Sequence, residues 1–380
     1  MNQPSNASFF DHFCDLPDPR IHRTRRYALV DLLFIALCAT LCGAEDCTAM
    51  ADFAAGRQEW LSRYVDLSEG TPSHDTFSRV FALLDPEPFA QCFVGWVAAI
   101  QEKTEGEIVA IDGKTLRHSF DRATGKAALQ LVSAWANTNG LVLGQIKTED
   151  KSNEITAIPE LLKRLDVAGC IVTIDAMGTQ RAIAHQIREQ QADYVLAVKA
   201  NQPDLMQDVQ AFFERSRANH FMDAEANTLT HTFTQTVDAD HGRIETRRCW
   251  ACGLIEEIGS APQWSGMKSF VLVERERLLD GRTTLEQAYY ISSLPADAHK
   301  LLAAVRAHWG IENSLHWVLD VTFDEDQSRL RKDNAPQNMA AIRHVALNML
   351  KKNTTRKASI RRKRNMAAWE PDFLTEVLNN

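Results

Sequence analysis

Residues 108–112 read IVAID, and residues 171–175 read IVTID. Four residues without clear polar alternation suit a strand buried on both faces, as in a sheet covered by helices, better than a half-exposed hairpin. Each run finishes in an aspartate. Gly113 follows the first, which predicts that the backbone turns out of the sheet directly beyond the carboxylate. In open α/β sheets such strand ends face the ligand. A lone aspartate there is as readily a helix cap or loop former, but two carboxylates brought together repel unless a cation or proton intervenes.

The pattern around these runs sets the architecture. Residues 1–104 carry helical periodicity, with a helix expected over Tyr27–Cys42, others in CTAMADFAAGRQEWLSRYV, and one in PSHDTFSRVFALLD, where Phe77, Val80, Phe81 and Leu84 recur on one face. From Glu107 the texture changes. EIVAID, ALQLVSAWA and LVLGQIKT read as three strands with NTNG at the hairpin, followed by helix, CIVTID, helix and DYVLAVK. This is a mixed α/β sheet. A helix in QPDLMQDVQAFFERS and β-rich segments interrupt it over 201–294 and predict an inserted lobe. Helices resume after Asp297, and a basic tail covers 353–380.

At 380 residues the chain is long enough for two or three domains. Its hydrophobic content of 45% and charged content of 24% are those of a soluble globular protein. A formal net charge of −8 excludes a uniformly basic coat, but not local patches. Such patches occur at Arg20, Arg23, Arg25 and Arg26, and again between Lys351 and Arg364; the plain alternative is a pair of solvated tails. The eight cysteines, with no evident secretion signal, read as free thiols in a reducing compartment. The apolar run Tyr27–Ala44 contains Asp31 and is better read as a buried helix than as a membrane span. These features predict a cytoplasmic protein.

Glu312, in HWGIENSLHW, is the outstanding partner for the two aspartates. On a regular helix, His308 four residues before it and His316 four residues after it would share its face. An amphipathic core helix with histidines at its rim is the competing reading. Three carboxylates from two strands and a helix suit hard divalent ions, Mg²⁺ foremost. Two such ions activate water or a 3′-hydroxyl for in-line attack at phosphorus. Lys114 and Arg117 would then stand where phosphate arrives, or form surface salt bridges instead.

The motifs AIDGKTLRHS, KSNEITAIPELL, VTIDAMGTQ, DYVLAVKANQ, HGRIETR and HWGIENSLHWVLDVTFDEDQSRLR, in this order, resemble those of ISAs-type insertion-sequence transposases, including the H-repeat-associated proteins. PSHDTFSRVFALLD is similar to that family's leading domain, so the likeness runs from the amino-terminal helical region through about Lys352. The resemblance implies a ribonuclease-H-like core over 105–200 and 295–352, with the β-rich 201–294 as an insertion. The helices of 1–104, opened by a turn and carrying Arg79, are expected to form a DNA-binding domain, with a plain helical bundle as the alternative. The resemblance also implies a DDE triad of Asp112, Asp175 and Glu312 holding two Mg²⁺ ions, with Mn²⁺ as a substitute. The better-known branch of the superfamily surrounds its glutamate with Tyr-x₂-Arg-x₃-Glu-x₆-Lys. Here those positions hold Val305, His308, Glu312 and Leu319, so the tyrosine, arginine and lysine contacts do not transfer. His308, His316 and Arg306 are the available substitutes.

The remaining motifs divide clearly. DGKT lacks the glycine a phosphate-binding P-loop needs, since Ile108 stands there. Cys249 and Cys252 form one C-x-x-C without a second pair at zinc-finger spacing, and default to strand cysteines. Lys151, Asn153 and Glu154 sit at a helix entrance, where Ser152 or Asn153 would cap. Lys199, Asn201 and Gln202 beyond the fifth strand, and His241, Arg243, Arg247 and Arg248 in the lobe, are candidate DNA contacts; turn chemistry and solvated strand faces are the alternatives. The expected activity is transposition: binding of terminal inverted repeats and target DNA, cleavage, and strand transfer by a homodimer that synapses two ends. A catalytically decayed DNA-binding relative and a stand-alone metal nuclease are the competing functions.

Overall fold

The computed structural model describes residues 9–102, 104–120, 125, 127–148, 154–219, 231–240 and 242–379. The chain divides into two units. One comprises Met1–Glu102, Gly113–Asn153 and Glu312–Asn380, and the other Lys103–Asp112 and Glu154–Ile311.

The first unit is mostly helical. Leu29–Leu41 is apolar nearly all round, and Leu32 through Leu41 are all buried. A helix of that kind needs neighbours on every side, and Ala335–Lys352 packs against it. The second helix is itself buried along most of its length, and its two interior asparagines both bond to backbone groups. Asn338 Nδ2 donates to the carbonyls of Phe81 and Leu84, each at 2.9 Å, at the end of helix His74–Leu83. Asn348 exchanges two 2.9 Å bonds with Val142, as a neighbouring strand would. Val142 belongs to a hairpin of β2 (Leu129–Ala136) and β3 (Leu141–Lys147), which follows the last part of β1 (Ile108–Leu116).

Residues beyond Asn353 are not a solvated tail. Ile360–Trp369 and Pro371–Leu378 are helices, the first capped by Ser359. Two of their basic side chains turn inward because helix ends leave carbonyls without partners. Lys363 Nζ donates to Leu350 O at 2.8 Å, and Arg364 donates to Thr40 O at 3.1 and 2.9 Å through Nε and Nη2. A cation at a helix C-terminus also suits the helix dipole.

The second unit contains most of a mixed sheet. Here β1 pairs in parallel with β4 (Ile171–Ile174), and β4 in parallel with β5 (Asp193–Val198). All four β4 residues are buried, as expected for a run without alternation. Helix Glu154–Arg164 precedes β4, and helix Arg181–Glu189 connects β4 to β5. Helix Pro203–Ala218 leads on to β6 (Thr232–Asp240), β7 (Arg243–Cys252), β8 (Ser269–Leu279) and β9 (Arg282–Ser292), an antiparallel series. The β-rich segment expected as an inserted lobe continues the sheet from β5, because β9 pairs antiparallel with β5 from Val195↔Ser292 to Val198↔Tyr289. Hydrophobic burial explains the continuity. Ile171 and Val195 share one cluster with Cys249, Val271 and Val273, sealed by Leu301, Leu302 and Val305 of helix Ala298–Ile311.

Candidate active site

The parallel register brings the two repeated motifs into line. Ile108 lies opposite Ile171 and Ile111 opposite Ile174, so Asp112 and Asp175 are the next residues on adjacent strands. Adjacent strands lie about 4.8 Å apart, so the backbone approaches these two positions from neighbouring strand ends. Both are partly accessible. The predicted turn at Gly113 is absent: β1 runs through Asp112, Gly113 and Lys114 to Leu116. Its continuation is held by burial of Leu116 against Leu129, Leu131 and Ala340.

At Asp175 the backbone does turn. Its Oδ1 accepts from the amides of Met177 and Gly178 at 3.1 and 3.3 Å, so it serves as a turn former while remaining partly accessible. Gly178 has no room for a side chain, because an added Cβ would lie 2.3 Å from Ile174 Cγ2 and 2.7 Å from Ile158 Cδ1. Thr179 Oγ1 donates to Asp175 O at 3.2 Å and is also 2.6 Å from Ala197 O. Asn201 Nδ2 donates to Ala176 O at 2.6 Å, and Gln202 Nε2 to Thr179 O at 2.9 Å. The two candidate DNA contacts thus brace the turn that carries Asp175. Glu154, predicted only as part of a helix entrance, is a further acid here: burial first, then the charge of Asp175, raises its carboxyl above the usual range.

Glu312 begins a single π turn, Glu312–His316, between helices Ala298–Ile311 and Trp317–Thr322. The regular spacing behind the expected three-residue face therefore breaks at Glu312 itself. Such turns recur at functional sites. Glu312 remains 55% exposed, and its Oε2 lies 3.0 Å from Nδ1 of the buried His316. His308 makes a different contact, with Nδ1 3.0 Å from Thr173 Oγ1 inside β4.

Several predicted phosphate contacts are held by acids. Lys114, 10% exposed at its side chain, pairs with Asp320 and with Glu325 Oε2, the latter at 2.8 Å. Burial alone would lower its ammonium, but the two carboxylates hold it above the usual range. Arg247 pairs with Asp238 and Glu245, Arg248 with Glu276 at 2.9 Å, and Arg306 with Asp238 at 3.0 Å. Arg117 and Arg243 retain exposed guanidinium groups, although each has a carboxylate within 3.5 Å. Lys199 is exposed. Lys151, Ser152, Asn153 and His241 lie outside the described residues. Cys249 and Cys252 are buried, and burial pushes their thiols to about 12 and about 11. Three positions apart on one strand they face opposite ways, which does not suit a shared metal.

Comparison with known proteins adds the decisive observation. Residues 103–349 match the family described as "Transposase DDE domain", and residues 10–97 match its "DDE_Tnp_1-associated" companion. The chain belongs to the DDE transposase family. It is 41% identical to "Putative transposase YncI" of Escherichia coli O157:H7, across 98% of this chain and 95% of that one. It is 39% identical to "H repeat-associated putative transposase YhhI" of Escherichia coli K12, across 97% of each. Among solved structures it is similar, at 12% identity and a TM-score of 0.44, to piggyBac transposase in a synaptic complex with hairpin DNA; 96% of this chain and 76% of that one are covered. A likeness that distant adds nothing to the family assignment. Membership of the DDE family agrees with the resemblance read from the motifs. Among the described residues, no helix is long and apolar enough to cross a membrane.

Proposed function

We propose that this transposase-family chain binds the ends of its own mobile element and catalyses divalent-metal-dependent hydrolysis and strand transfer at DNA phosphodiesters. Asp112, Asp175 and Glu312 are its catalytic acids and metal ligands. The observation that supports this reading is the pairing of family membership with a parallel register in which Asp112 and Asp175 each follow the last paired residue of neighbouring strands. Strand order supports a ribonuclease-H-like core: β3, β2, β1, β4 and β5 follow one another, with β2 and β3 antiparallel and β4 and β5 parallel to β1.

The donor set fits a hard ion, since all three acids offer oxygen and none is deeply buried. Two bound Mg²⁺ ions, or Mn²⁺ in their place, supply activation of water or a 3′-hydroxyl and stabilisation of the leaving oxygen. The protein's own contribution is position. The backbone amides at Met177 and Gly178 orient Asp175, and His316 orients Glu312 through their hydrogen bond. Lys199, Arg117 and Arg243 contribute charge towards the DNA backbone. The helical region 1–104 reads the terminal repeats, residues 201–294 hold flanking DNA, and a homodimer synapses two ends in the cytoplasm.

The test is incubation of the full chain with duplexes carrying the DNA that flanks its coding region, with Mg²⁺ and a target plasmid. Cleavage followed by joining is expected, and Asp112→Ala, Asp175→Ala or Glu312→Ala should abolish both while leaving the DNA shift. Mg²⁺-dependent cutting by the Asp112→Ala protein would overturn the assignment. Wild-type protein that shifts DNA without cutting it would be a DNA-binding relative, and cutting without joining would indicate a nuclease.

A further inference from the structure

Lys114 and Arg117 were both expected at the DNA, and in the first unit both meet a segment downstream of Glu312. Lys114 reaches Asp320 and Glu325; Arg117 Nε lies 3.3 Å from Asp326 Oδ2. His118 Nδ1 meets the Asp326 carbonyl, and Arg331 Nε donates to His118 O at 3.0 Å. Lys114 is far less exposed than Arg117, 10% against 78%. Its partner Glu325 has a side chain only 1% exposed and a second cation, Arg343, at 3.7 Å. Asp320 lies on helix Trp317–Thr322, which continues directly from the π turn of Glu312. Asp112 and Lys114 are two apart on one strand and so project from the same face.

We infer that Lys114 is a positioning residue, which fixes β1 to the helical run that bears Glu312 instead of contacting DNA. The inference rests on the proposed triad and adds a reason for the lysine of AIDGKT and the acids of LDVTFDEDQ to stand in one chain. A lysine that donates to two carboxylates has at most one of its three donors left for phosphate. A buried cation of this kind is also costly to leave without its partners.

The full chain is assayed with the flanking-end duplexes, with the rate of strand cleavage at saturating DNA, DNA affinity as a function of salt, and the Mg²⁺ concentration for half-maximal rate all measured. For Lys114→Met, cleavage should fall by tenfold or more and the half-maximal Mg²⁺ concentration should rise, with DNA affinity within twofold and its salt slope unchanged. Lys114→Arg should recover part of the rate. Loss of DNA affinity with a salt slope smaller by about one would make Lys114 a phosphate contact and overturn the inference, as would an unchanged cleavage rate. If Lys114→Met does not fold, Asp320→Asn, which leaves Glu325 to the lysine, is read by the same criteria. Asp112→Ala is run beside them: cutting by that protein sinks the triad, whereas its failure to cut leaves the Lys114 result to stand alone.

Discussion

The strands IVAID and IVTID are nearly the same sequence and part company at the aspartate. After Asp112 the chain stays extended for four more residues to Leu116; after Asp175 it turns at once. The residues that follow decide this. Leu116 has an apolar cluster to enter and Lys114 has two carboxylates to meet, so extension is rewarded on the first strand. On the second, Gly178 packs against Ile174 and Ile158 where no side chain fits, and Thr179, Asn201 and Gln202 tie the turn down. Equal carboxylates are thus held by different means, one by a straight strand anchored beyond it and the other by a braced turn.

That contrast predicts a graded set of outcomes. Asp112→Asn and Asp175→Asn should be alike despite their different backbones, each lowering the cleavage rate by at least about a thousandfold, or about 4 kcal/mol of barrier, with unfolding midpoints nearly unchanged. A large difference between them in single-turnover cleavage would mean that only one carboxylate sits at the reacting phosphorus.

The next effect tests whether the first strand's anchor is truly buried. His344 is buried beside Glu325, with Lys114, His316 and Arg343 also facing it, and burial pushes its imidazole down to about 4. The unfolded chain takes up this proton near pH 6.5 while the folded chain refuses it. Stability is therefore full above about pH 6.5 and falls as pH drops towards about 4, by about 3 kcal/mol in total. Urea unfolding at pH 7 and pH 4.5 measures it, and His344→Gln should flatten this part of the profile.

Gly178→Ala attacks the second strand's turn. Overpacking of this kind costs about 2 kcal/mol, and cleavage should fall along with the melting temperature. Asn201→Ala removes one bond from the same turn and should cost about 1 kcal/mol, with a several-fold slower cleavage rate and unchanged DNA affinity. A loss of DNA affinity without slower cleavage would return Asn201 to the DNA.

Much of this was readable without coordinates. Unbroken apolar runs identified β1, β4 and β5, and 3.6-residue periodicity identified the helices, because both patterns are local consequences of burial. The three acids were legible as candidates through their residue types and the motifs around them. The π turn at Glu312 was not, since it changes hydrogen bonding without changing composition. The burial of Lys114, Lys363 and Arg364 was equally hidden. A lysine or arginine looks the same in sequence whether it meets solvent, phosphate or a buried partner, and for Lys114 and Arg364 that partner lies more than two hundred residues away.

By itself, then, the sequence determined the mixed α/β class, the DDE family and the identity of the acids worth testing, because each depends on residue types in local or ordered patterns. Tertiary structure alone decided that β1 passes straight through Asp112, that the β-rich segment continues the sheet from β5, and that Lys114, Arg247, Arg248 and Arg306 pair with carboxylates. Those outcomes depend on which distant groups satisfy a strand edge, a helix end or a buried charge, and no local pattern carries that information.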